Sequence, residues 1–186
     1  MNLANQLTIA RLIGVAPIML AVYIPFPGAL TLAVVLYVAA LITDYLDGIA
    51  ARNSGKVTNF GKLMDSIADK ALIMSLFFVL VGEGVMAAWM AAIMVIREFG
   101  VTGLRMVALE SGEVIAANSW GKAKMNAQSL AVFVLLVGYA GIGPAQTLLT
   151  LGWVLMLVAV VLTVFSGWSY FKDAPRIFAA AAGESR

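Results

Sequence analysis

Six long apolar segments follow one another along this chain of 186 residues, and they constrain its fold more than any other feature. They run from about Leu7 to Ile24, from Gly28 through Ile42 and beyond, and from Phe60 to Val81. The other three run from Val85 to Leu109, Met125 to Tyr139 and Thr147 to Tyr170. A helix that crosses a bilayer needs about 20 mostly apolar residues. Only helices and closed barrels satisfy their backbone hydrogen bonds inside hydrocarbon. The expectation is therefore an all-α integral membrane protein with six transmembrane helices, forming a single domain over residues 1–186. The breaks carry turn chemistry: Pro25-Phe26-Pro27-Gly28, Gly82-Glu83-Gly84 and Gly141-Ile142-Gly143-Pro144. Composition agrees, at 62% hydrophobic and 12% charged, where soluble domains have about 45–50% and about 25%.

The three breaks contain no Lys or Arg. All 12 basic residues lie elsewhere: Arg11, then Arg52, Lys56, Lys62 and Lys70, then Arg97, Arg105, Lys122 and Lys124, then Lys172, Arg176 and Arg186. By the positive-inside rule both termini are cytoplasmic. The first six residues have no basic n-region or small-residue cleavage site, so the first span reads as retained rather than as a signal peptide. Glu110 to Lys124 reads as a polar cytoplasmic loop. A net charge of +2 does not argue for nucleic acid. With 0 Cys and 0 His, the chain can form no disulfide, thiolate nucleophile, Cys/His zinc site or His-based triad. Any metal must be held by oxygen, and the natural general base is a carboxylate.

Four of the five Asp fall between Asp44 and Asp69. Counting +3, +4, +7 and +8 from Asp44 gives Asp47, Gly48, Ala51 and Arg52, one helical face. Counting +4 and +8 from Gly61 gives Asp65 and Asp69, again one face. Charges at helix ends often only mark the membrane interface, but four carboxylates on two facing stripes would repel one another and resist ionisation. One or two divalent cations, Mg²⁺ or Mn²⁺, remove that cost. Gly48, Ala51 and Gly61 leave room for a ligand against the backbone, and Arg52 offers a fork to phosphate oxygens. The constellation reads as a metal–phosphate site at the cytoplasmic membrane surface.

Asp44-x₂-Asp47-Gly48-x₂-Ala51-Arg52-x₈-Gly61-x₃-Asp65-x₃-Asp69 resembles the CDP-alcohol phosphotransferase signature at all its fixed positions. The resemblance implies a six-helix membrane enzyme, usually a homodimer, that displaces CMP from a CDP-linked substrate with an alcohol. It implies that Asp44, Asp47, Asp65 and Asp69 hold two divalent ions and that Asp69 is also the catalytic base. It further implies a CDP-diacylglycerol site built from Gly48, Ala51, Arg52 and Gly61, with Asn5, Thr8 and Thr58 beside them.

Arg97-Glu98-Phe99-Gly100-Val101-Thr102-Gly103-Leu104-Arg105 and Ser119-Trp120-Gly121-Lys122-Ala123-Lys124-Met125-Asn126-Ala127-Gln128 look like the bacterial phosphatidylglycerophosphate synthase branch. So does Asn5-x₂-Thr8-x₂-Arg11. That branch implies phosphatidyl transfer to glycerol 3-phosphate at the cytoplasmic (inner) membrane, with the site facing the cytoplasm. A dianionic acceptor needs fixed cations, and Arg97, Arg105, Lys122 and Lys124 are available. Arg97 lies about 18 Å along the fourth segment from Val85, too deep for a mere snorkelling anchor. Glu98 projects about 100° away around the helix, so the expectation is that the two charges do not cancel on one face. Other acceptors, inositol phosphate or serine, remain alternatives. So does a cation transporter, although its carboxylates would be expected near the midplane of broken helices.

Overall fold

The computed structural model describes residues 3–54, 59–110, 119–172 and 174–175, with side chains at 12–46, 67–68, 70–108, 120–172 and 174–175. Among these, the chain forms six α-helices: α1 Leu3–Tyr23, α2 Ala29–Ser54, α3 Asn59–Gly82, α4 Ala88–Glu110, α5 Ser119–Tyr139 and α6 Ala145–Phe171. Each expected apolar segment is helical. One boundary moves materially. Ser119 to Lys124, expected in a loop, begins α5, so Lys122 and Lys124 project from its first turns. Their polarity hid the start of a helix whose apolar run begins only at Met125.

Two of the turns are closed by the same device. At the end of α3, Val85 N–H reaches Leu80 O at 2.8 Å and Gly84 N–H reaches Val81 O at 3.1 Å. At the end of α5, Ile142 N–H reaches Val137 O at 3.2 Å and Gly141 N–H reaches Gly138 O at 3.1 Å. These are Schellman closures, which need a left-handed residue after the helix; Gly84 and Gly141 supply it, both at φ +70°. Glu83, within the Gly82-Glu83-Gly84 break, accepts a hydrogen bond from Tyr139 Oη, tying the two turns together.

Helix α1 packs on α2 and α3, α5 pairs closely with α6, and α4 lies on α6. Leu76, Phe77, Leu80, Met90, Met94, Leu135, Leu136 and Met156 form the shared core. Tyr37, fully buried in α2, donates its hydroxyl to Ser129 O at 3.1 Å on α5, so its polar end is not left unmet. The exterior is apolar as well. On α6, Val154, Val158, Val161, Val164, Phe165 and Trp168 face outward, while Gly152, Met156, Ala159, Thr163 and Ser166 face inward. A surface this apolar suits hydrocarbon better than water.

Ala29–Leu46 within α2 and the whole of α6 are long and apolar enough to cross a membrane by length and composition. The apolar stretches Leu12–Tyr23 and Lys70–Gly82 are shorter. The charges of α3 and α5 lie in the first half of each helix, and Arg97 and Glu98 fall near the middle of α4, which shortens their uninterrupted apolar runs.

The α5–α6 seam depends on the missing side chain of Gly152. A Cβ there would stand 2.7 Å from Leu135 Cγ and 3.0 Å from its backbone nitrogen. Gly152→Ala should therefore lower stability by about 1–3 kcal/mol through overpacking. Gly14→Ala, with nothing within 4 Å of the new atom, should be neutral or stabilising by about 0.5–1 kcal/mol. Thermal unfolding in detergent compares the two, and equal melting temperatures would contradict this packing.

Candidate active site

Four helices converge on a cleft of about 270 Å³. Helix α3 contributes Lys70; α4 contributes Arg97, Glu98, Thr102 and Arg105; α5 contributes Gly121, Lys122, Lys124 and Gln128; and α6 contributes Tyr170. Positions 97, 98, 101, 102 and 105 recur at helical spacing, so one face of α4 supplies much of the lining. The four cations expected to meet an acceptor phosphate thus line one cavity. Lys70, Glu98 and Tyr170 join them.

Four of these cations, Arg97, Arg105, Lys124 and Lys70, are held by named partners. Arg97 Nη2 donates to Ser166 Oγ at 2.8 Å and Nη1 to Glu98 Oε1 at 3.1 Å. The second contact corrects the expectation from helical angle. The guanidinium lies at the end of a long flexible stem, which curls round the helix and closes the 100° between adjacent residues. Lys124 Nζ, from α5, donates to the same Glu98 oxygen. Arg105 Nη2 donates to Tyr170 Oη at 2.8 Å. Lys70 Nζ donates to Thr102 Oγ1 at 2.8 Å, and that hydroxyl donates to Glu98 O at 2.7 Å.

Tyr170 links the two arginines. Its ring centroid lies 5.6 Å from Arg97 Cζ and 5.2 Å from Arg105 Cζ, within cation–π range of both. Gly167, one turn earlier on α6, makes room for the Arg97 stem, since a Cβ there would stand 3.0 Å from Arg97 Cγ. After these contacts, Arg97 Nε and Arg105 Nε remain buried with no hydrogen-bond partner among the described residues. A buried unmet donor costs about 1–3 kcal/mol. Both belong to cations that border the cleft.

The aspartates stand differently. Asp44 is half-buried on α2. Asp47, Gly48, Ala51 and Arg52 continue the same helix, while Gly61, Asp65 and Asp69 lie on α3 and Asn5 and Thr8 on α1. The side chains of these residues lie outside the described ones, as does Thr58 entirely. What the backbone does establish is adjacency. Asp69 immediately precedes Lys70, a cleft residue, so their Cα atoms are about 3.8 Å apart.

Residues 1–165 match the family model for CDP-alcohol phosphatidyltransferase. The chain belongs to that family. It is 38% identical to a Bacillus subtilis protein over 184 residues, covering 92% of this chain and 94% of that one. It is 35% identical to a Rickettsia bellii protein over 177 residues, covering 95% and 97%. With a Pectobacterium atrosepticum protein it shares 34% over 178 residues, covering 93% and 94%. All three are named CDP-diacylglycerol–glycerol-3-phosphate 3-phosphatidyltransferase.

The family depends on divalent cations. The donor chemistry here fits them: Asp44 and Asp47 one turn apart on α2, and Asp65 and Asp69 one turn apart on α3, offer hard oxygen ligands. Among the residues with described side chains, no three acidic groups cluster.

Tyr170, Ser166 and Gly167 were not legible as site residues. They sit in an apolar final helix, and their roles exist only through contact with α4, more than 60 residues earlier in the chain. Lys70 was visible only as a flanking charge. Tyr170→Phe, which keeps the ring but drops the hydroxyl, should raise the acceptor KM by roughly fivefold, for one hydrogen bond of about 1 kcal/mol. Tyr170→Ala should raise it further, because both arginines lose their brace. Steady-state CMP release checks this, and equal KM values in all three proteins would contradict the bracing role.

Proposed function

We propose that this chain transfers the phosphatidyl group of CDP-diacylglycerol to glycerol 3-phosphate, giving phosphatidylglycerol phosphate and CMP. What supports the reading is the cation-lined cleft, with a buried, unmet N–H on each of two guanidinium groups that border it and with Lys70, the residue after Asp69, in its lining. The names of the family relatives point the same way.

In this reading the acceptor phosphate lies between Arg97 and Arg105 and takes their Nε–H groups, with Lys122 and Lys124 adding charge. Asp44, Asp47, Asp65 and Asp69 would hold two divalent cations, Mg²⁺ or Mn²⁺, which when bound neutralise charge on the pyrophosphate of the donor. Gly48, Ala51 and Gly61 let the CDP group approach the helix backbones. Arg52, Asn5, Thr8 and Thr58 complete the donor site. Asp69 takes the proton from the acceptor hydroxyl, whose oxygen attacks the β-phosphorus. The new P–O bond forms as the bond to CMP breaks on the opposite side.

The setting we propose is a six-span protein of the cytoplasmic membrane, with residues 1–186 as one domain. Both termini and the site face the cytoplasm, and the chain forms the homodimer that the family resemblance implies. The apolar exterior of the helix bundle and the absence of Lys and Arg from the three short breaks support that setting. The site must open to the bilayer, because the donor's acyl chains remain there.

Purified protein in detergent with CDP-diacylglycerol and Mg²⁺ should release CMP when glycerol 3-phosphate is added. It should release little with serine, which has no phosphate for the cleft. Inositol phosphate is the sharper control, since it needs the same cations, and a faster rate with it would replace the proposed acceptor. Arg105→Ala should raise the KM for glycerol 3-phosphate roughly 10- to 150-fold, the effect of losing a charged hydrogen bond of about 1.5–3 kcal/mol. The KM for CDP-diacylglycerol should barely move. If only the donor term changes, Arg105 belongs to the donor site.

Asp69→Asn keeps the size and one ligating oxygen but cannot take a proton. Turnover should fall by about 10²–10⁴ while donor affinity stays within a small factor of wild type. Loss of donor binding together with turnover would make Asp69 chiefly a ligand. Retained turnover would assign the base elsewhere.

A further inference from the structure

The proposed acceptor carries two hydroxyls beside its phosphate, and only one of them is the nucleophile in a given transfer. The other enters the cleft as a hydrogen-bond donor in need of an acceptor. Among the described lining residues Glu98 is the only carboxylate, and the one other uncommitted side-chain acceptor is the amide oxygen of Gln128, whose Nε2 donates to Thr163 Oγ1. Arg97, Arg105 and the lysines only donate. Thr102 Oγ1 already accepts from Lys70 and donates to Glu98 O. Tyr170 Oη accepts from Arg105.

Glu98 is different. Its Oε1 receives both Arg97 Nη1 and Lys124 Nζ, while its Oε2 makes no hydrogen bond among the described residues. The side chain keeps 16% of its surface exposed on a residue that lines the cleft. Pairing Arg97 and Lys124 accounts for Oε1 but leaves Oε2 without a role, and a carboxylate repels a dianion. Its presence has a purpose if the ligand brings a hydroxyl as well as an anion.

We propose that Glu98 is the specificity-determining residue of the acceptor cleft, with Oε2 accepting a hydrogen bond from the acceptor hydroxyl that does not react. Oε1 meanwhile aligns Arg97 and Lys124 on the phosphate. The inference rests on the proposed function and refines it: the cleft selects a phosphorylated polyol over a phosphorylated mono-alcohol. A site built to bind a hydroxyl discriminates strongly against an analogue that lacks it, because the protein's polar group is then left unpaired.

The test compares kcat/KM for glycerol 3-phosphate and for 3-hydroxypropyl phosphate, which has the same phosphate and terminal hydroxyl but no middle one. Wild type should prefer glycerol 3-phosphate by about tenfold or more, as expected for a charged hydrogen bond. In Glu98→Gln the preference should shrink to a few-fold, with the KM for CDP-diacylglycerol little changed. A purely structural role would lower both acceptors together and leave their ratio at the wild-type value, which would overturn the proposal. Equal use of both acceptors by wild type would overturn it without any variant. Should Glu98→Gln not fold, Glu98→Asp keeps the charge but withdraws the oxygen by one methylene, and it too should narrow the ratio. No CMP release by wild type with either acceptor would instead defeat the functional reading on which the proposal stands.

Discussion

A guanidinium inside an apolar helix bundle must be satisfied, and the geometry of one end of this protein follows from that demand. Arg97 keeps only 10% of its side chain exposed. A lone arginine at the centre of a membrane helix costs about 2.5–3.5 kcal/mol on insertion scales. Here Glu98 supplies countercharge, Ser166 accepts a hydrogen bond and Tyr170 offers a ring face. Gly167 gives up its side chain so that the stem can pass. Glu98 in turn draws Lys124 across from α5. Satisfying one cation thus ties α4, α5 and α6 together, and only its Nε is left unmet among the described residues.

The same helix serves two solvents. Phe165 and Trp168 of α6 are 68% and 72% exposed, while Ser166 and Tyr170, interleaved with them, are buried against α4. A lipid-linked donor and a water-soluble acceptor can meet only at such a boundary. The acceptor needs fixed charges, which the bundle can hold only by pairing them. The donor needs an opening to hydrocarbon, which apolar outer faces provide. Lys70 connects the two halves: it lines the cleft and directly follows the last Asp of the signature on α3.

Much of this was legible in the sequence, because apolar runs of membrane length leave the backbone few options. Gly84 and Gly141 could be read as helix stops because the turns there need positive φ. The start of α5 could not, since Ser119 to Lys124 has no apolar stripe. Nor could the Arg97–Glu98 contact, where side-chain reach overrode helical angle. The aspartates were recognisable by spacing alone. The Tyr170–Arg105 pairing, by contrast, leaves no periodic trace, because it arises only when α6 folds back on α4.

In the proposed complex the acceptor's phosphate occupies the cleft between Arg97 and Arg105. A structure of this chain with glycerol 3-phosphate bound should show the phosphate within hydrogen-bond reach of both guanidinium groups, near Lys122 and Lys124. Phosphate bound instead among the aspartates of α2 and α3, with the cleft between α4 and α6 left without it, would overturn this assignment.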